Sequence, residues 1–244
     1  MNHRKKEHAD QVVLALGAHP DDLEMGCGGT LAVLASAGIR VIMAVVSIPS
    51  KLELRKEESL RAAEILGCEV RFLVPDRLTR VEDLKSYQLI GMIDELVLEL
   101  SPTAVFSHCQ SNSHLDHKLV YDASLASQRV KYFDHYCYSP TSCRPMNIPF
   151  SATGFVDISD TFDIKMNSIQ AHASQFEQRA LNYNHVQELN QHNGLLIGVK
   201  YAEGFQIERT KIDLNTFFKP LSKPPQLRDD LDCEDSVKPV KARK

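Results

Sequence analysis

The chain has 244 residues, 43% apolar and 25% charged, with 28 Lys and Arg against 32 Asp and Glu, for a formal net charge of −4. That length suits one full α/β domain with a sizeable core, and the slight negative balance gives nucleic acid or an anionic membrane surface no electrostatic reason to bind. The six cysteines (Cys27, Cys68, Cys109, Cys137, Cys143 and Cys233) contain no CxxC pair and fall short of a disulfide scaffold, so they read as reduced thiols and not as ligands.

The basic start MNHRKKEHAD is followed, after Gln11, by VVLALGA and then HPDD, too short an apolar run for a secretory signal. No stretch approaches the ~18 apolar residues that span a bilayer. A cytoplasmic protein is expected, with residues 1–10 flexible and 11–218 forming one domain. Val12 to Leu16 is a continuous apolar run ending at Gly17, the pattern of a strand buried on both faces of a parallel sheet. Residues 26–38, GCGGTLAVLASAG, read as the first helix, stopped by Gly38. RVIMAVVS, 40–47, is a second buried strand, and ELRKEESLRAAEIL, 53–66, an amphipathic helix closed by Gly67. The Arg and Lys residues of 55–61 read chiefly as its solvated face, with Arg55 at the start able to face the crevice.

EVRFLV, 69–74, is a third strand leading into Pro75 and Asp76. Residues 86–100 carry Leu89, Ile93, Leu96, Val97 and Leu100 at helical spacing, and 103–106 make a short fourth strand. Alternation of this kind predicts right-handed βαβ units, and so a Rossmann-like three-layer sandwich with a mostly parallel sheet. A helix over about 117–129, an aromatic, mixed stretch at 130–139, a strand at 154–158, a long polar helical region over 160–193 and a last strand near 204–209 follow. From Lys219 prolines and charges dominate, which predicts a disordered tail over 219–244.

Two loops carry the chemistry. In GAHPDDLEMG, His19 and Asp22 fall just past the carboxyl end of the first strand, where open α/β sheets bind ligands. Asp21 between them points elsewhere and is free to act as a base. In SHCQSNSHLDHKLV, after the fourth strand, stand His108, His114, Asp116 and His117. His19, Asp22 and His117 make the two-histidine, one-carboxylate set of a hydrolytic zinc site, which is equally that of a non-haem iron oxygenase. A histidine held near the leaving group of an amide can supply its proton, a role open to His114 with Asp116 orienting its ring. The glycines of GCGG admit a non-enzymatic alternative, a nucleotide-binding turn, but eight residues separate Gly17 from Gly26 and no acid ends the second strand. His135, His172, His185 and His192 sit in aromatic or polar helical contexts that suit packing better than ligation.

AHPDDLEMGCGGTLA with HLDH after the fourth strand resembles the LmbE-like or PIG-L family of zinc-dependent N-deacetylases. RKEESLRAAEILG, VPD, GFVDIS, HASQ and YAEGFQIER extend the resemblance over roughly 12–209. It implies one zinc on His19, Asp22 and His117, Asp21 as base, and His114 with Asp116 as a relay. It further implies sugar contacts from Arg55 and Asp76, an acyl-oxygen contact from Arg144, and a substrate-side role at Asn112, where relatives often carry aspartate. The substrate class implied is an N-acetylglucosamine conjugate, a small-molecule partner. Because relatives are commonly multimeric, a homo-oligomer is expected too, with the polar region 160–200 as its interface.

Overall fold

The fold is built outward from the most apolar strand. In the computed structural model, which describes residues 11–138, 150–175 and 184–211, β1 (Val12–Gly17) lies inside a seven-stranded sheet. β2 (Arg40–Val45) and then β3 (Glu69–Phe72) pair parallel on one side of it. On its other side β4 (Ala104–Ser107) and β5 (Asp134–Tyr138) also run parallel. β7 (Ala202–Arg209) and β6 (Gly154–Asp157) complete that side as antiparallel strands. The order β3-β2-β1-β4-β5-β7-β6 reverses direction between β1 and β4, and ligands of open α/β sheets bind at such a switch point.

Successive residues of a strand point to opposite faces, and the core divides accordingly. Leu14, Leu16, Ile42, Ala44 and Val105 face α3 (Ser86–Leu100) and α4 (Leu115–Ser127). Val13, Ala15, Val41 and Met43 face α1 (Asp22–Ser36) and α2 (Leu52–Leu66). The result is the expected three-layer sandwich. Beyond it, α5 (Phe162–Gln170) packs on α1 and α2, and α6 (Asn184–Ile197) packs on β7. No helix among the described residues is long and apolar enough to cross a membrane.

Four expectations change. The first helix starts at Asp22, not at Gly26, because residues of the HPDD loop supply its first turn. Its glycines are packing positions: a Cβ on Gly26 would come within 2.3 Å of the Tyr138 ring, and one on Gly29 within 2.8 Å of Ile158. A nucleotide turn is thereby set aside, since these glycines admit side chains and not a phosphate. The stretch 130–139 contains a true strand, β5, whose aromatic side chains are used in packing. The polar region 160–193 is not one helix, for α5 ends at Gln170 and α6 begins at Asn184. The flexible start at 1–10 and the tail at 219–244 lie outside the described residues.

Candidate active site and metal centre

Both chemical loops leave the same edge of the sheet at the switch point. After β1, the strand pairing continues briefly: Val46 and Ser47 donate their amides to Gly17 and Ala18 carbonyls, each at 2.9 Å. This extends the scaffold to the residue before His19. Asp22 then opens α1, its Oδ2 accepting the His19 amide at 2.8 Å. From the other loop, His117 enters in the first turn of α4.

His19, Asp22 and His117 each place one ligand atom within 4.8 Å of the others. Asp22 Oδ1 lies 3.3 Å from His117 Nε2, and Oδ2 lies 3.6 Å from His19 Nδ1. His19 Nε2 is taken, 2.8 Å from Asp116 Oδ2, which leaves Nδ1, on the Asp22 side, as the free ligand atom. A histidine whose second nitrogen meets a carboxylate is the usual outer support of a metal ligand. Two imidazoles and one carboxylate, with His19 only partly buried, suit a divalent ion with coordination positions left for water or substrate. The residues therefore fit a metal.

The electrostatics agree. Burial alone would raise the Asp22 carboxyl, yet the His117 ring beside it, with His108 behind, holds it well below the usual carboxylate range. Burial also works against charge on His117, but Asp22 prevails and raises it. Asp21 goes the other way. Burial first, then the Asp22 carboxylate, push it up to about 6 against the opposing pull of Arg55 and His172. It sits at φ 92°, a conformation rare for any residue with a side chain.

The relay is arranged differently from the expectation. The Asp116 carboxylate accepts the amides of Val81 (3.1 Å) and Glu82 (2.9 Å) besides meeting His19. His114 meets Asp116 through its backbone: the Asp116 amide donates to His114 Nδ1 at 3.2 Å. The neutral His114 ring therefore carries its proton on Nε2. Three imidazoles stack here, His117 between His108 (centroids 3.9 Å) and exposed His114 (4.6 Å). Burial and then His117 and His19 lower the His114 pKa.

The residues expected to touch a sugar are scattered. Asp76 is exposed on the loop after β3. Asn112 is buried, its Oδ1 accepting the His114 amide at 3.0 Å, so that oxygen shapes the loop itself. Arg55 is 2% exposed and donates from Nη2 to the Pro20 carbonyl at 2.7 Å. Arg144 lies outside the described residues.

A second polar layer under the site went unread in the sequence. His108 Nε2 accepts the Ala18 amide at 3.0 Å and stands 3.3 Å from Asp22 Oδ2. Burial pushes it down to about 3. His172 Nε2 meets Glu24 Oε1 at 2.9 Å, and Glu58 accepts both the Ser174 amide and hydroxyl at 2.7 Å. The signal available was the i, i+3, i+4 spacing of Arg55, Glu58 and Ser59. It marks one face of α2, and that face is buried, not solvated.

Fold and site together define an α/β protein with a His/Asp/His cluster and an adjacent buried carboxylate at the switch point. Residues 14–127 match the family model described as PIG-L: GlcNAc-PI de-N-acetylase. The uncharacterized deacetylase YaiS of Escherichia coli (strain K12) is 33% identical over 127 residues, which span 48% of this chain and 68% of that protein. The diacetylchitobiose deacetylase of Thermococcus kodakarensis is 25% identical over 239 residues, 80% of this chain and 82% of that one. Among solved structures, GalB, the 4-carboxy-2-hydroxymuconate hydratase of Pseudomonas putida KT2440, shares the fold, with a TM-score of 0.68 at 20% identity over 83% of this chain and 98% of that one. The chain belongs to the PIG-L, or LmbE-like, family.

Proposed function

We propose that the chain is a zinc-dependent hydrolase that removes the acetyl group from an N-acetylated amino sugar, such as an N-acetylglucosamine conjugate. The observation that carries this reading is the meeting of a metal-binding triad with a buried carboxylate pushed up to about 6. A general base works best with a pKa near the operating pH. The family model's description and the diacetylchitobiose deacetylase relative support the choice of an acetamide.

His19, Asp22 and His117 would hold the ion, which when bound polarises the acetamide carbonyl and makes a bound water acidic. Asp21 takes the proton of the water that adds to the carbonyl carbon. As the carbon–nitrogen bond breaks, His114 in its imidazolium form, its Nδ1 then released from the Asp116 amide, gives a proton from Nε2 to the leaving nitrogen, and acetate and a free amine depart. The lowered His114 pKa means that this form is lost early as pH rises, which sets the alkaline limb of the profile. Asp76, exposed at the same rim, and Arg144 are the remaining candidates for sugar and acyl contacts.

The test is an amine-release assay over a panel of N-acetylglucosamine conjugates, with and without chelator, on protein of measured metal content. We expect at least one member to be deacetylated and the activity to vanish with the metal. Release of no amine by zinc-loaded protein overturns the reading. Stoichiometric iron with oxygen-dependent turnover would replace it by an oxygenase using the same ligands. Hydration of an unsaturated acid would align the chain instead with the hydratase that shares its fold.

A further inference from the structure

Helix α1 begins beside the base, and its middle is held by side chains from two other elements. Met25 is the link between them. Its amide donates to the Asp21 carbonyl at 3.1 Å, while its own carbonyl accepts Lys165 Nζ at 2.9 Å. Glu203 Oε1 stands 2.5 Å from that same Nζ and accepts the Gly29 amide at 3.0 Å. Glu203 Oε2 accepts the Thr30 amide at 2.7 Å. The ordinary α-helical acceptor of the Gly29 amide is the Met25 carbonyl, four residues back. A lysine–glutamate pair therefore spans one rung of the helix, with the cation on the carbonyl and the anion on the amide.

The glycines of α1 admit this pair. A Cβ on Gly28 would lie 3.6 Å from Lys165 Cγ, so the lysine stem runs along the bare backbone there. The Gly29 carbonyl accepts Thr161 Oγ1 at 2.9 Å, which ties the same rung to the start of α5. Lys165 of α5 and Glu203 of β7 are each 1% exposed. A buried ion pair is a weak source of stability, because apolar residues of similar volume often serve as well. What this one supplies is direction. Asp21 has φ 92° and ψ −24°, a backbone that persists only where its surroundings impose it, and the Met25 peptide is one of those surroundings.

We propose that Lys165 and Glu203 are positioning residues for Asp21, acting through the Met25 peptide on the turn that presents the carboxylate. This rests on the reading of Asp21 as the base, and the two can fail separately. The kinetic test uses metal-loaded Lys165→Met, Glu203→Leu and the two combined, with N,N'-diacetylchitobiose as substrate. Each single variant leaves one buried charge unpaired and should lower the melting midpoint by about 10 °C, whereas the neutral pair should regain most of that loss. We expect the neutral pair to keep its metal but to turn over about 10- to 100-fold more slowly, with KM within about twofold of wild type, the signature of lost transition-state stabilisation. In the Asp21→Asn background the same two substitutions should change kcat by less than about twofold, because residues acting as a unit are not additive. A neutral pair that regains kcat along with stability overturns the proposal and leaves the ion pair as scaffold. So does a deficit that multiplies with that of Asp21→Asn.

A second measurement needs no activity. The Met25 amide should exchange about tenfold or more faster in the neutral pair than in wild type, as the turn opens more readily. The Val46 amide, bonded to the Gly17 carbonyl beyond the paired strands, should keep its rate. An unchanged rate at Met25, or an equal acceleration at both amides, overturns the proposal even if no substrate is ever turned over. Should the neutral pair not fold, Lys165→Arg, which keeps the charge on a planar and bulkier head, carries both tests.

Discussion

Two groups of histidines flank the end of β4, and they differ in the company they keep. His135 is fully buried among Ser107 Oγ (2.8 Å), Ser124 Oγ (3.3 Å) and the Gln128 amide (3.0 Å), hydroxyls and an amide with no carboxylate. Burial pushes its pKa down to about 4, and it stays a neutral stitch between β4, β5 and α4. His19 and His117, a few residues of loop away, each face a carboxylate, Asp116 and Asp22. A histidine paired with an acid is poised to share a proton or bind a cation, whereas one among neutral partners is packing. Between these two groups, carboxylate partnership, more than burial, separates chemistry from architecture.

The comparison breaks most visibly if ligands and scaffold respond alike. His117→Ala should abolish stoichiometric metal, read by elemental analysis of purified protein. His135→Gln should leave the metal in place. Next in size is Asp21→Asn, which should keep the metal and lower kcat by about 10²–10⁴, as expected for loss of a general base. Full activity in that variant would remove Asp21 from the mechanism.

The scaffold histidine has its own signature in pH. An unfolded His135 takes up a proton near pH 6.5, but the folded one refuses it until about pH 4. Its contribution to stability is therefore intact above pH 6.5 and is lost as pH falls through that window, a loss of roughly 3 kcal/mol for a shift of this size. Denaturant melts of wild type and His135→Gln at pH 7.5, 5.5 and 4.5 should show the gap between them closing toward acid. A gap independent of pH would mean that His135 takes up its proton at the same pH folded and unfolded.

How much of this the sequence discloses depends on the range of the interactions. The sandwich and its switch point follow from local apolar periodicity in Val12–Leu16, Arg40–Ser47 and Thr103–Phe106, which survives without tertiary context. The gathering of His19, Asp22 and His117 follows from topology, because parallel strands place both loops on one edge. What stayed hidden is set by partners far apart in the chain. Asp116 lies two residues from His114 in sequence but gives its carboxylate to His19, 97 residues away. Arg55 reaches Pro20 across 35 residues, and spacing alone says nothing about such a choice. The strand β5 was missed because DHYCY mixes polar and aromatic residues, and its place is decided by neighbours on both sides, not by its own pattern.

The smallest expected effect tests that hidden choice directly. Asp116 offers two oxygens to three donors: His19 and Val81 share Oδ2, and Glu82 takes Oδ1. In Asp116→Asn one oxygen becomes an NH2 group, which must face at least one of those donors. If the amide turns its nitrogen toward Glu82, His19 keeps a weaker, neutral partner; if it turns the other way, His19 loses its support. Either way the metal should be held about 10- to 100-fold less tightly, the usual cost of removing an outer partner of a ligand histidine. Competition against a chromogenic chelator measures this without any substrate. The relay reading makes the opposite forecast, since a carboxylate serving His114 would shift the alkaline limb of kcat and leave the metal affinity alone. His114 meets Asp116 through the backbone amide, which the substitution retains, and loses only the charge of the carboxylate, which raises its pKa, so that limb should move modestly toward acid while the ring keeps its place.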